Sequence, residues 1–414
     1  MPAPVHDCFL SPVIAPIFMA EIPSNPEILI EEALSSVRLP PRAVRELLEL
    51  SQQPDVEMQR IADTITSDET LTARVLRLVN SALFSLPRPV SSVQQAVVLL
   101  GKASIIQLAI GVAAMTLEAA IVDETSFSRE DFWRHSMAVA YLARELGRKQ
   151  QRIEAEEAFT AGLLHDIGKL VLLGYLRKTY SCLVTASREE QRALHEEERE
   201  ALGADHDTIS RKLCEKWKLP PSLLDGVSIH ASDEEIPPLQ NGLRGVVRTA
   251  NAVAKSAGVG KSGNRYVSLP QLSASLLRPF ANDPTRIHAL PDEVNRIERA
   301  FRFEAHDEDE TPDEEEGPAP PALLVQVDDA VLASVVAISS SALGFEPVAL
   351  CSGEAPPASE TTHAAGWVTD TPPAEAPEDL HVLDLAAWLD AHEPYENAAL
   401  DVVSLRAWMS ERLV

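Results

Sequence analysis

The sequence has few cysteines, no long apolar run and no secretion signal, and each deficit excludes a class of protein. The four cysteines lie far apart without a CxxC pair, so we expect neither a disulfide framework nor a cysteine zinc site. No uninterrupted apolar run reaches the roughly 20 residues that a membrane-spanning helix needs. The apolar stretch 9–20 is short, contains two prolines and follows no basic segment. We therefore expect a reducing, cytoplasmic location without membrane insertion.

Basic residues are also scarce relative to acidic ones. The chain has 36 Lys and Arg against 63 Asp and Glu, which gives a formal net charge of −27. A surface of this charge repels nucleic acid and anionic lipid, so we expect neither as a partner. The 414 residues are 45% hydrophobic, enough to bury a core and to form more than one domain.

Composition divides the chain into four segments. Residues 1–26 are rich in proline and read as a tail. Residues 27–304 carry dense helical periodicity without a useful two-residue alternation. Residues 305–321 form an acidic, proline-rich stretch with eight carboxylates among residues 307–316, which is typical of a solvated linker. Residues 322–414 return to short apolar segments and predict a small α/β domain.

Three helices in the second segment are predicted from spacing and capping residues. The first carries an apolar stripe at Leu71, Val75, Leu78 and Val79 after a cap at Ser67 or Asp68. The second starts at a Ser91–Gln94 capping box and ends at Gly101. The third follows Asp205 and repeats apolar residues at Ile209, Leu213 and Trp217.

The segment Ala161–Lys169 (AGLLHDIGK) is the strongest candidate for chemistry. His165 and Asp166 are adjacent in an apolar context, where a carboxylate is costly unless it is paired or bound to metal. Neighbouring helical side chains point about 100° apart, so both reach one ion only near a helix end or a distortion, which Gly168 could supply. Lys169 lies one turn after His165, where it could neutralise Asp166 or hold a phosphate.

His135, His206 and His230 each lie on or beside a separate predicted helix. Together with His165 and Asp166 they make five candidate ligands for iron, manganese or zinc. The residues alone leave two interpretations open. The cluster is either such a metal site or a buried hydrogen-bond network in which Asp166 pairs with Lys169 or a histidine.

Several motifs in consecutive order resemble the HDOD family, a relative of the HD phosphohydrolases. They are Leu39–Pro41, Ile61-Ala62, Ser67-Asp68, Leu71–Ser81, Leu86–Ser92, Ala96–Gly101, Trp133–Ser136, Ala161–Lys169 and Trp217–Pro220. The resemblance covers roughly residues 27–260. It implies an all-α, two-lobed helical module that serves bacterial signalling in a regulatory rather than catalytic role.

The sequence also differs from active HD phosphohydrolases at positions where the resemblance implies metal ligands. Asn251 stands where the last metal-binding aspartate is expected, and an amide oxygen is a weaker, uncharged ligand. Ala231 replaces a second histidine after His230, and no GYP sequence follows. The resemblance therefore disfavours hydrolysis of cyclic dinucleotides.

The C-terminal segment resembles a response-regulator receiver more loosely. Residues 323–329 match a first strand with an acidic pair at Asp328 and Asp329, residues 365–370 a phospho-acceptor strand, and residues 379–384 the next strand. A terminal helix is predicted near residues 404–413. No lysine follows Lys261, so a receiver here would be unable to stabilise an acyl phosphate. An unrelated small α/β or helical cap is the alternative.

The sequence thus favours a non-catalytic signalling protein whose HDOD module contacts protein partners or a ligand. A homodimer is compatible with this interpretation. The alternative is a metal-dependent phosphohydrolase acting on a nucleotide or phosphoester, with His135, His165, Asp166, His206 and His230 as metal ligands and Lys169 on the phosphate.

Overall fold

The computed structural model describes residues 23, 25–37, 41–53, 55–84, 86–115, 128–150, 153–189, 192–230, 242–264, 266–269, 272–301, 322–349, 364–369, 382–391 and 399–413. Most of the elements up to residue 301 are helices: α1 Pro26–Ser36, α2 Arg42–Ser51, α3 Met58–Thr66, α4 Glu69–Asn80, α5 Val93–Leu100, α6 Lys102–Ala114, α7 Arg129–Gly147, α8 Ala155–Leu164, α9 Ile167–Leu176, α10 Lys178–Glu189, α11 Leu194–Leu202, α12 His206–Lys216, α13 Pro221–Val227, α14 Leu243–Ala257, α15 Ala274–Ala281, α16 Pro284–His288 and α17 Leu290–Phe301. A short 3₁₀ turn, Ala82–Phe84, follows α4.

The later part of the chain alternates strands and helices. Its elements, with one early strand that pairs with them, are β1 Tyr266–Ser268, β2 Ala322–Gln326, α18 Ala330–Ala342, β3 Glu346–Ala349, β4 Ala364–Thr369, β5 Val382–Asp384, α19 Leu385–Ala391, β6 Ala399–Asp401 and α20 Val402–Leu413. The predicted fold class, an all-α module followed by a small α/β region, is confirmed.

Local signals explain where the predicted helices begin. The Asp68 side chain accepts the Leu71 N–H at 2.9 Å and starts α4, whose stripe of four predicted residues is buried. Asp205 accepts the Thr208 N–H and starts α12 in the same way. Both helices match their predictions.

The cap of α5 lies one residue later than predicted. Ser92, rather than Ser91, accepts the Gln95 N–H, and Gln95 Oε1 in return accepts the Ser91 N–H at 2.9 Å. The exchange resembles a capping box, but it is shifted by one residue and Gln95 accepts the N–H of the residue before the cap rather than that of the cap itself. The helix ends at Gly101, whose φ of +84° lies in the left-handed region that favours glycine.

Contacts divide the chain into two compact units. The first comprises residues 1–251, 260–264 and 293–301, and the second comprises residues 252–259, 265–292 and 302–414. Residues 265–292, which the sequence analysis placed with the helical module, therefore group with the C-terminal strands. Within the second unit β1 pairs antiparallel with β6, and α15 and α16 pack against α18.

The sheet of the second unit is parallel and has the order β3–β2–β4–β5. This is the 2-1-3-4 order of flavodoxin-like sheets, in which the strand order reverses at the first strand. Asp329 caps α18 by accepting the Val331 and Leu332 N–H groups. The strands at 323–326, 364–369 and 382–384 lie where the sequence places them, whereas the receiver resemblance itself stays a prediction.

Some predictions fall on residues outside the described ranges. These are the tail up to residue 22, the acidic linker 305–321, Ala231 and Asp370. One described stretch, Ala155–Leu176, is apolar and long enough to cross a membrane, but 89% of its most apolar window is buried inside the protein. It covers α8 and α9, which form the centre of the helical core.

Candidate functional site

The site is built around the break between α8 and α9. Helix α8 ends at Leu164 and α9 begins at Ile167, so His165 and Asp166 lie at the junction, with Asp166 at φ −102° and ψ 8°. The sequence analysis expected a helix end or distortion, supplied by Gly168, that would let both side chains reach one point. The helix end lies instead at the His165–Asp166 pair itself. The change of direction lets two consecutive side chains converge, which a straight helix forbids.

Gly168 instead allows a close approach between α9 and α12. A Cβ atom at this position would lie 2.1 Å from the His206 carbonyl oxygen. The Gly168 N–H donates to Ser210 Oγ at 2.8 Å, and that hydroxyl donates to the His165 carbonyl at 3.2 Å. This close packing of α9 and α12 places His206 beside the α8–α9 junction.

The first group of side chains, here called the Asp166 cluster, consists of His135, His165, Asp166, Lys169 and His206. Asp166 Oδ2 accepts from Lys169 Nζ at 2.7 Å and lies 3.3 Å from His165 Nε2, while Oδ1 lies 3.5 Å from His206 Nε2. All five residues are at most 1% exposed. Burial alone would raise the pKa of Asp166, but the charges of His165 and Lys169 outweigh it and hold the pKa well below its usual range.

Two further contacts hold the edge of this cluster. His135 Nε2 and Asn251 Oδ1 are 3.0 Å apart and form a buried hydrogen bond. Lys169 Nζ also donates to Ser262 Oγ at 3.3 Å, from a loop whose Gly260 presses against the His135 backbone. The amide of Asn251 thus occupies the place where the resemblance implies a carboxylate.

His206 is oriented by a carboxylate that the sequence analysis missed. Glu198, fully buried on α11, accepts from His206 Nδ1, from the His206 N–H at 2.8 Å and from the Tyr180 hydroxyl at 2.6 Å. Burial alone would lower the pKa of His206, but the Glu198 charge outweighs it and raises the pKa. A carboxylate on Nδ1 fixes the ring and leaves Nε2 directed at Asp166.

The second group, the Asp207 cluster, consists of His195, His206, Asp207 and His230. The His195 and His230 rings stack at 4.4 Å between centroids and 8° between planes, and His206 meets His230 edge to face at 5.3 Å. Asp207 accepts the His230 N–H through Oδ2. Burial raises the pKa of Asp207 to about 7, and the charge of His206 offsets it only in part.

The five predicted ligands therefore do not form a single ring. The ligand atoms of His135, His165 and Asp166 lie within 4.8 Å of one another, and those of His206, Asp207 and His230 form a second such group. His206 touches both. The sequence analysis missed Glu198, although its spacing indicates a buried position. Glu198 lies four residues from both Leu194 and Leu202, which places its carboxylate on the apolar face of α11.

The donor set fits one metal ion at the Asp166 cluster. His165 Nε2, Asp166 Oδ1 and His206 Nε2 are buried, and none makes a well-aligned hydrogen bond with another described residue. His165 Nδ1 faces the Gly162 carbonyl at 2.7 Å and His206 Nδ1 faces Glu198, so both rings direct Nε2 inward. Two imidazoles and one carboxylate suit iron, manganese or zinc.

Comparison with known proteins assigns the helical region. The family model of the HDOD domain matches residues 37–232. A protein of Treponema pallidum (strain Nichols), described as uncharacterized, is 24% identical over 216 residues, which are 51% of this chain and 41% of that protein. The match thus spans well under two thirds of the relative's length.

Two solved structures are similar to this chain at low identity. An HDOD domain protein of unknown function from Geobacter sulfurreducens is 24% identical, with a TM-score of 0.49, over 69% of this chain and 92% of that one. A provisionally named phosphohydrolase from Shewanella amazonensis SB2B is 24% identical, with a TM-score of 0.46, over 66% and 92% respectively. By the family model, residues 37–232 of this chain are an HDOD domain.

Proposed function

We propose that the HDOD domain acts as a non-catalytic regulator, which transmits a signal by contacting protein partners or a ligand. The observation that carries this proposal is the buried ion pair between Lys169 and Asp166, 2.7 Å apart in the centre of the candidate metal site. An ammonium group in this position neutralises the carboxylate that a hydrolytic site would use to hold a metal and polarise water.

The neighbouring contacts support the same proposal. His135 Nε2 is bonded to the neutral amide of Asn251, so this edge of the cluster lacks the negative charge that a second metal would require. The described side chains of the cluster are buried, whereas a phosphoester must reach the reacting atoms. Lys169, the residue that the alternative places on a phosphate, is instead committed to Asp166 and Ser262.

A metal at His165, Asp166 and His206 is compatible with a regulatory role. When bound, such an ion would cross-link the α8–α9 junction to α12 and stabilise their contact. The chain's own residues already hold this junction, since Gly168 and Ser210 join the same helices. Binding would thus strengthen an existing arrangement.

The alternative, a metal-dependent phosphohydrolase, is favoured by the same three inward-facing donor atoms. We therefore propose an assay of the full chain with phosphomonoesters and cyclic dinucleotides, each with manganese, iron or zinc. We expect no turnover by the wild type. Turnover that disappears in Asp166→Ala would overturn the proposal and support the hydrolase.

The Asn251→Asp variant sharpens this test. It restores the carboxylate that the resemblance implies and leaves the five predicted ligands in place. We expect metal analysis to show more bound metal than in the wild type, whereas the Lys169–Asp166 pair should keep the variant inactive. A gain of phosphatase activity by Asn251→Asp alone would show that a single lost ligand, rather than the ion pair, prevents catalysis.

The proposed partners are bacterial signalling proteins in the cytoplasm, with no nucleic acid among them. Capture from lysate of the native host, with wild type and Asp166→Asn as baits, would test this. We expect a protein that the wild type retains and the variant loses. Recovery of nucleic acid alone, or identical recovery by both baits, would contradict a partner contact governed by the cluster.

A further inference from the structure

The Asp166 cluster is covered on one side by a short segment after α14, residues 260–264, here called the 260–264 loop. Its Ser262 is 2% exposed and accepts a hydrogen bond from the buried Lys169 Nζ at 3.3 Å. The side chain of the preceding residue, Lys261, is exposed to solvent. At this point a single layer of chain therefore separates a buried charge of the cluster from water.

The same loop closes against α7 beside His135. A Cβ atom at Gly260 would lie 2.3 Å from the His135 backbone nitrogen and 2.5 Å from the Asp131 carbonyl oxygen. The Lys261 N–H donates to that carbonyl oxygen at 3.0 Å. Glycine at position 260 thus lets the loop lie directly on the turn of α7 that carries the His135 imidazole into the cluster.

The 260–264 loop differs from the helices that form the rest of the cluster. It is neither helix nor strand, so no repeating pattern of backbone hydrogen bonds holds it. Gly260 and Gly263 have φ values of +67° and +85°, and small residues of this kind commonly serve as hinges. Moving the loop breaks fewer backbone hydrogen bonds than moving α7, α9 or α12, so local opening of the cluster begins here.

We propose that the 260–264 loop is a lid over the Asp166 cluster, and that a divalent metal ion reaches His165, Asp166 and His206 only when this lid opens. These three residues are at most 1% exposed, so an ion in solvent cannot reach their donor atoms while the lid is closed. An ion needs a smaller opening than a phosphoester does, and a short loop is sufficient for it.

Opening the lid changes only the edge of the cluster. It separates Ser262 from Lys169 and admits water, whereas Lys169 keeps its bond to Asp166 Oδ2 and leaves Oδ1 to the ion. The inference rests on the proposed function, in that a metal is compatible with the regulatory site. It does not depend on whether the domain turns over a substrate.

The test measures how fast zinc enters and leaves the full chain. Uptake by metal-free protein is followed with a fluorescent zinc indicator, and release from zinc-loaded protein with the chromogenic chelator pyridylazoresorcinol. Zinc that a His165→Ala variant still binds is subtracted, because this variant lacks one donor of the cluster. A lid hinders entry and exit alike, so loosening it should accelerate both rates by similar factors and leave the dissociation constant nearly unchanged.

Gly260→Ala should hold the lid open, because the added methyl group meets the His135 backbone. We expect both zinc rates to rise between about 10-fold and 100-fold, as for the cost of overpacking a close contact. Gly101→Ala is the matched control. Gly101 has a φ of +84°, but a Cβ atom there would meet nothing within 4 Å, so this variant should change neither rate.

Ser262→Ala loosens the lid more gently, since it removes only the hydrogen bond from Lys169. We expect both rates to rise by about 10-fold, as for one hydrogen bond to a charged group. The control is Ser187→Ala, which removes a buried serine on α10 whose Oγ donates to the Arg192 carbonyl oxygen. It should leave both rates as in the wild type.

Hydrogen exchange measured by mass spectrometry shows whether the lid itself has opened. Peptides that contain residues 260–264 should exchange faster in both lid variants, whereas peptides from α8 should not. Circular dichroism checks that each variant is folded, and Ser262→Ala decides the outcome if Gly260→Ala does not fold. Faster exchange of the lid with unchanged zinc rates would overturn the proposal, and so would faster release without faster uptake or no zinc bound at the cluster.

The lid and the proposed function can fail separately. Substrate turnover together with zinc rates that depend on the lid would contradict a non-catalytic regulator and leave the lid in place. Absence of turnover together with zinc rates that ignore the lid would contradict the lid alone.

Discussion

Asp166 and Asp207 are both buried aspartates beside His206, yet their surroundings shift their pKa values in opposite directions. Lys169 and His165 hold the pKa of Asp166 well below its usual range, whereas burial raises that of Asp207 to about 7. The difference shows that the pKa of a buried carboxylate in this domain depends on how far neighbouring charges offset its burial. The charges of His165 and Lys169 outweigh burial at Asp166, whereas the charge of His206 does not outweigh it at Asp207.

The largest expected effect comes from removing the compensated carboxylate. Asp166→Ala leaves Lys169 buried without its charge partner, which typically costs about 3–5 kcal/mol. We expect the free energy of unfolding, measured in urea with chelator present, to fall by that amount. Glu293→Ala is the matched control, because Glu293 and Arg296 form an exposed pair at the same i,i+3 spacing worth at most about 1 kcal/mol. Equal losses of unfolding free energy in the two variants would contradict a buried, charge-compensating pair between Asp166 and Lys169.

The pH dependence of the two aspartates should have opposite signs. The pKa of Asp207 in the folded state lies above its ordinary 3.8, so the folded state holds a proton that the unfolded state has lost. The contribution of Asp207 to the free energy of unfolding therefore falls as pH rises from about 4 to about 7. Asp207→Asn should therefore be more stable than the wild type at pH 8, by up to about 4 kcal/mol.

Asp166→Asn should behave in the opposite way. The folded pKa of Asp166 is depressed, so its stabilising contribution is present above pH 3.8 and is lost only as pH falls through the folded value. This variant should be less stable than the wild type at pH 8 and should approach it only in acid. Urea unfolding from pH 2 to pH 8 in chelator measures both variants, and a destabilised Asp207→Asn at pH 8 would disprove the contrast.

Disrupting the close contact between Gly168 and His206 should have an intermediate effect on stability. Gly168→Ala places a methyl group against the His206 carbonyl and forces α9 and α12 apart, at a cost of about 1–3 kcal/mol or more. Gly111→Ala is the control, since its Cβ would meet the flexible Leu163 side chain at 3.3 Å. We expect thermal unfolding to show a clear loss for Gly168→Ala only. If both variants lost only a little thermal stability, α12 would be able to move away from α9 without disturbing His206.

The smallest expected effect concerns the support of His206. Tyr180→Phe removes one of the three hydrogen bonds to the Glu198 carboxylate, so it should cost about 1.5 kcal/mol, the low end for a bond to a charged group. Tyr175→Phe removes a hydroxyl that bonds to Glu32 at the exposed surface and should cost less. Differential scanning calorimetry compares the two. A larger loss for Tyr175→Phe would remove Glu198 from the set of residues that organise the site.

Much of the helical domain could be predicted because its signals are local. Asp68 caps α4 and Asp205 caps α12 through bonds to residues three positions later. The apolar stripe of α4 identified its buried face. Where the prediction of α5 was wrong, the competing serines Ser91 and Ser92 are adjacent, and only the direction of the Gln95 side chain distinguishes them.

The candidate site was predicted as a set of residue types but not as an arrangement. The adjacent His165 and Asp166 follow from the sequence, and so does the need for a helix end between them. Their division from Asp207 and His230 depends on how α9 and α12 pack, which no local signal encodes. The spacing of Glu198 from Leu194 and Leu202 indicates only that it lies on the apolar face of α11, and packing of α11 against α12 places it at His206.

Residue identity and short spacing were enough to predict the helices, the caps of α4 and α12 and the adjacent His165 and Asp166, and the family resemblance added the amide of Asn251. That His206 reaches Asp166, that its charge only partly offsets the burial of Asp207, and that residues 265–292 group with the C-terminal strands became visible only in the packed structure. The physical reason is that electrostatic compensation and packing depend on distances between groups far apart in the chain. Those distances exist only once the helices have docked.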